Sequence, residues 1–189
     1  MEPRPRPLLP ALLALEPLER LPRTGWVMLG LAAPETIAGH VLGACHMLLA
    51  LGPRLDPPVD VHRAIALALV HDAPEALIGD LPRTAARFLP EGAKARAEET
   101  AAREILGNLS SLAEELFDEF RAQTSREARF ARICERLQLG VRLAGYRRLG
   151  IGGLEEFVAT VRALDCSEFP PAEDLQREIL AEVGAGGRA

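Results

Sequence analysis

Between Leu69 and Asp80 the chain reads LVHDAPEALIGD, so that His71, Asp72, Glu75 and Asp80 follow directly on the apolar run AIALALV. Burying ionisable groups without partners costs several kcal/mol each. Either these four side chains reach solvent or they surround a metal ion. Imidazole and carboxylate ligands with open positions suit Mn2+, Fe2+, Co2+ or Zn2+ better than Ca2+. An ion of that class polarises a phosphoryl oxygen and acidifies a water molecule. Glu75 and Asp80 are then spare carboxylates, available for proton transfer.

His71 and Asp72 are consecutive, and on a helix their side chains diverge by ~100°. They can flank one ion only from its rim, so another helix must supply a further ligand. His40, in PETIAGHVLG, is the best-placed donor, with the small residues Ala38, Gly39 and Gly43 leaving room for its ring. An isolated histidine is ordinarily a hydrogen-bonded core or surface residue, and it is the His-Asp pair that changes the reading. Glu75 falls on the side of the helix that carries His71 and Asp72; its plainer role is a solvated helix charge. Pro74 cannot donate to the carbonyl of Val70 and perturbs the helix there. Asp80, after Gly79, could equally cap the segment LPRTAARF.

Helical periodicity dominates the chain and predicts the elements that must position these groups. A first helix is expected over about residues 8–20, then a loop through LPRTGWVMLGLAAP. Pro34 should open a second helix with Glu35 in its first turn and Gly52 at its end. Pro57 and Pro58 precede a long helix to about Gly79, and Pro82 and Pro90 bracket a short piece. A charged helical region follows from Glu91 to about Arg121, with a break expected at Gly107-Asn108. Ser125 is the expected N-cap of the helix holding EARFARICERLQLGVRLAGYRRL. LEEFVATVRAL and AEDLQREILAEV supply two more helices, and residues 184–189 form a flexible tail. No alternating strand pattern or internal repeat appears, which predicts an all-α single domain over residues 1–189.

The bulk properties agree. At 189 residues, 48% hydrophobic and 26% charged, the chain is long enough for a substantial core. A net charge of −5 argues against a binder of nucleic-acid polymers. No run reaches the ~20 apolar residues of a membrane span. Cys45, Cys134 and Cys166 are odd in number and lack C-x-x-C spacing, which favours free thiols in the cytoplasm. Cys134 is expected to pack, His46 to be buried in its apolar helix, and His62 to be exposed.

His40, the HDxxE of His71, Asp72 and Glu75, and GDLP from Gly79 together resemble the HD-domain metal-dependent phosphohydrolases. RTGW at Arg23–Trp26, PETIAGH, HDAPEALIGDLP and SREARFARICERLQL fall in the order of the 5′-deoxynucleotidase branch, over roughly residues 15–165. The resemblance implies a single-domain helical bundle, usually a homodimer, that hydrolyses deoxyribonucleoside 5′-monophosphates. It implies a divalent transition metal (Co, Mn, Fe, Zn or Ni) held by His40, His71 and Asp72. The family's fourth ligand is an aspartate in a D-K/R-L setting, and Glu135 of ICERLQL stands there. Glutamate is one methylene longer, so Glu135 ligates with shifted geometry, ligates through water, or has lost the role. Gly39 and Ile133 also replace acidic residues common in the family, which bears on substrate scope and activity.

The resemblance further implies in-line attack of water on phosphorus, with Glu75 orienting or deprotonating the water and Asp80 protonating the departing sugar oxygen. Arg23 would pair with the phosphate in forked geometry, its alternative being a solvated loop arginine. Trp26, the only tryptophan, is either a core anchor or a wall of the sugar pocket that disfavours a 2′-hydroxyl. Two other readings compete: an HD hydrolase of nucleoside triphosphates or other small phosphate esters, and a degenerate nucleotide-binding HD protein without activity. Retention of both Glu75 and Asp80 favours an enzyme.

Overall fold

The computed structural model describes residues 7–185, which are helical throughout apart from turns and a single isolated bridge between Pro22 and Thr36. Contacts sort these residues into two compact units, neither contiguous in sequence: 7–39 with 69–122, and 40–68 with 123–185.

The first unit begins with α1 (Leu8–Leu15), which tightens into a 3-10 turn over Glu16–Glu19 where Pro17 enters. The predicted loop after it contains a short helix, α2 (Thr24–Met28), and the chain then enters α3 (Ile37–Leu51). Pro34 and Glu35 do not open α3, contrary to expectation. The backbone there is extended instead: Glu35 O accepts from Arg23 N at 2.8 Å, and Leu21 O accepts from Ile37 N at 2.9 Å. The unit resumes with α5 (Glu75–Ile78), α6 (Arg83–Ala86), α7 (Ala93–Leu109) and α8 (Ser111–Ala122). α7 packs on α1, α5 and α8.

The predicted break at Gly107-Asn108 is displaced to Ser110, whose Oγ accepts from Ala113 N at 3.1 Å and starts α8. Gly107 stays helical and serves a close approach: a Cβ there would lie 2.9 Å from Glu114 Oε1.

The second unit holds most of α3, a 3-10 turn at Gly52–Arg54, α4 (Val61–Val70) up to Ala68, α9 (Arg126–Arg148), α10 (Glu155–Arg162) and α11 (Pro170–Ala185). α9 is its backbone, with α10 and α11 against it. Ser125 Oγ accepts from Ala128 N at 3.0 Å, giving α9 the N-cap its sequence predicts. Gly140 of α9 lets the neighbours in, because a Cβ would meet Ile179 Cγ2 at 2.9 Å and Val161 Cγ1 at 3.2 Å. Phe130 and Phe169 fill the core with ring centroids 5.2 Å apart. α11 runs through Gly184 and Ala185, which composition assigned to the tail; residues 186–189 lie outside the described residues.

All three cysteines are buried free thiols. His62 is exposed as expected, but so is His46, on the outward face of α3. Among the described residues no helix is long and apolar enough to cross a membrane.

Candidate active site

The long helix predicted to reach Gly79 ends at Val70, and Pro74 explains why. Helix continuation would require an N–H at residue 74 to bond the Val70 carbonyl, and proline has none. Ala73 N donates to that carbonyl instead, at 3.2 Å, and the tight pattern repeats from Glu75 N to Asp72 O at 3.0 Å and from Ala76 N to Ala73 O at 3.1 Å. His71 and Asp72 therefore sit in a turn rather than on a helix face. Their side chains do not diverge as the helical reading required: His71 Nε2 lies 3.0 Å from Asp72 Oδ2. Phe120 of α8 packs at 5.1 Å against the His71 ring and steadies it.

Glu75 opens the short α5, which ends at Gly79 with φ +74°, a conformation suited to glycine. Glu75 Oε2 is buried and has no hydrogen-bond partner among the described residues. Burial above all, then the negative charges of Asp72 and Asp80, push its carboxyl up to about 9; Arg23 and His71 act in the opposite direction. Arg23 Nη1 stands 3.6 Å from Asp72 Oδ2, so this guanidinium faces the acidic cluster.

Asp80 is tied back to α2. Its Oδ2 accepts from Thr24 N at 2.7 Å, and its carbonyl accepts from Thr24 Oγ1 at 2.6 Å. This double tie holds the start of α2, and with it Arg23, to the chain leaving α5. Trp26 is 1% exposed, and its Nε1 donates to Glu35 Oε2 at 3.3 Å. In the first unit, then, the chain assembles Arg23, His71, Asp72, Glu75 and Asp80, with Trp26 on the buried side of α2 held by Glu35.

The second unit supplies His40 and Glu135. His40 is fully buried, and its Nδ1 lies 2.6 Å from Gln138 Oε1. Its other nitrogen, Nε2, is 3.8 Å from Glu135 Oε2. The Glu135 carboxylate is shared with two cations, Arg132 Nη1 at 3.4 Å and Arg136 Nε at 3.8 Å. Sequence reasoning missed Gln138, Thr24 and Glu35. Of these only Gln138 left a signal, since it lies one helical turn beyond Glu135 on the same side of α9.

The HD-domain family model matches residues 15–156 of this chain. The chain belongs to the HD-domain family. It is 31% identical over 148 residues to human 5′-deoxynucleotidase HDDC2, covering 76% of this chain and 70% of that protein. It is 32% identical over 178 residues to the zebrafish (Danio rerio) protein of the same name, covering 90% of this chain and 86% of that protein. Among solved structures, the PH0347 protein of Pyrococcus horikoshii OT3 superposes with a TM-score of 0.78 at 29% identity, covering 92% of this chain and 99% of that one.

The donor types test well against the divalent metal that the family implies. His71 and Asp72 in the first unit and His40 in the second offer imidazole nitrogens and a carboxylate oxygen, donor types that suit a metal ion. This mixed set fits a first-row transition ion.

Proposed function

We propose that this chain is a metal-dependent phosphohydrolase that removes phosphate from deoxyribonucleoside 5′-monophosphates, with His40, His71 and Asp72 as ligands of a divalent transition ion and Glu135 as a fourth. The observation that carries the reading is the half-buried cluster of Asp72, Glu75 and Asp80 facing Arg23, carboxylates beside a cation. The names of the curated relatives supply the substrate class.

A divalent ion held by these residues would supply Lewis acidity toward the phosphoryl group. Arg23 receives the phosphate oxygens and orients phosphorus for in-line attack by water. Burial holds the Glu75 carboxyl at about 9 in the metal-free chain, and a divalent ion nearby would favour its ionised form, which through Oε2 takes the proton of the attacking water. Arg23 and His71 favour that form, while burial, Asp72 and Asp80 oppose it. As the bond from phosphorus to the sugar oxygen breaks, Asp80 gives that oxygen a proton. Thr24 N–H donates to its Oδ2, which leaves Oδ1 as the oxygen to pass that proton on. Trp26, buried and anchored through Glu35, acts as a core anchor that fixes α2 beside Arg23.

The reading includes a homodimer, as the family resemblance implies, and a cytoplasmic location, with which three free thiols agree. Purified protein should contain a transition metal and release orthophosphate from deoxynucleoside 5′-monophosphates. His71→Ala and Asp72→Ala should abolish both properties while circular dichroism remains helical. Release of pyrophosphate or triphosphate from a nucleotide panel would favour the triphosphate hydrolase instead. No release from any nucleotide would favour the non-catalytic binder.

A further inference from the structure

Glycine in a helix interior costs about 1 kcal/mol relative to alanine, yet α3 carries Gly43 one turn beyond His40. The reason is visible in α9. A Cβ at Gly43 would come within 2.8 Å of Gln138 Nε2 and 2.9 Å of its Cγ, so the Gln138 side chain runs through the space that any other residue would fill. That path ends with Gln138 Oε1 2.6 Å from His40 Nδ1, and both residues are buried.

An amide oxygen offers only lone pairs, so this contact requires a proton on Nδ1 and leaves the lone pair on Nε2. Glu135 works against it, because a carboxylate 3.8 Å from Nε2 favours a proton there. Its charge is shared with Arg132 and Arg136, and its contact is the longer by more than 1 Å.

We infer that Gln138, seated in the gap at Gly43, is a positioning residue that fixes His40 as its Nδ1–H tautomer and reserves the Nε2 lone pair for a divalent cation. The inference rests on the reading of His40 as a metal ligand. It adds that the ligand's competence is set by an amide outside the coordinating set, as outer hydrogen bonds commonly tune imidazole ligands.

Ring-nitrogen NMR on the metal-free full chain, above the titration range of imidazole and assigned through His40→Gln, reads the tautomer directly. Wild type should show Nδ1–H. Gln138→Met, which removes the acceptor at similar volume, and Gly43→Ala, which displaces the amide without touching either polar group, should both shift His40 toward Nε2–H. Manganese and zinc titrations of the same proteins should show a 10–100-fold loss of affinity in both variants. Gln138→Glu keeps an acceptor and should keep the wild-type tautomer. An Nε2–H ring in wild type, or undiminished cation affinity in folded Gln138→Met, overturns the inference. A wild type that binds no divalent cation overturns the metal reading beneath it, and the ring protonation then decides the part of Gln138 by itself.

Discussion

Metal-free protein should carry a distinctive dependence of stability on pH, with Glu75 as its source. Burial, Asp72 and Asp80 raise the Glu75 carboxyl from an ordinary 4.5 to about 9, over the opposition of Arg23 and His71. Through the neutral range the folded chain keeps this proton, while the unfolded chain has released it. The stabilisation from a raised acid is complete below the ordinary value and is lost as pH climbs through about 9. Each pH unit inside that window removes roughly 1.4 kcal/mol of unfolding free energy. From about pH 5 to about pH 8 this amounts to at most ~4 kcal/mol.

Glu75→Gln substitutes a neutral amide and should remove this slope. The assay is urea unfolding in chelator, followed by far-ultraviolet circular dichroism at several pH values. Wild type should be the more pH-sensitive, losing about 1–4 kcal/mol relative to the variant across the range. A saturating divalent cation should flatten the wild-type slope, since positive charge nearby favours the carboxylate. Parallel stability profiles for the two metal-free proteins would refute the claim that Glu75 is held protonated.

Asp80→Asn should slow hydrolysis of a deoxynucleotide by roughly 10²–10⁴-fold but spare nitrophenyl phosphate, whose leaving group needs no proton; equal losses on both substrates would remove Asp80 as the acid. Glu135→Ala should weaken metal affinity and Glu135→Asp preserve it, measured by titration; unchanged affinity in the alanine variant would take Glu135 out of the coordinating set. Ser125→Ala should cost about 1 kcal/mol in urea unfolding through the lost cap on α9, without altering metal content; an unchanged unfolding midpoint would contradict the capping role.

The all-helical class was legible, and the candidate site residues could be named, because their signals are local. An HD pair, a serine ahead of a charged amphipathic run, and prolines between apolar segments each declare a role within a few residues. The sequence failed where one residue type serves two physical ends. Gly107 reads as a helix stop, yet it marks where Glu114 crowds α7. Glu35 reads as a helix-start carboxylate, but its backbone pairs with Arg23 and its side chain with Trp26. Pro74 announces a disturbance without revealing that the turn would converge His71 on Asp72. The contact from Gln138 to His40 joins residues 98 apart in sequence, beyond any periodicity.

The interleaving of the two units has a consequence for biosynthesis. The first unit needs α7 and α8, which end at Ala122, before α1 has its packing partner. The second begins at His40 and waits for α9 to α11. A chain emerging from the ribosome therefore cannot finish either unit early, and residues 40–68 must stay accessible while about fifty residues of the other unit are made. Apolar α3 and α4 make that waiting stretch a natural client for chaperones. Truncation before α9 should leave their inward faces without a core to join.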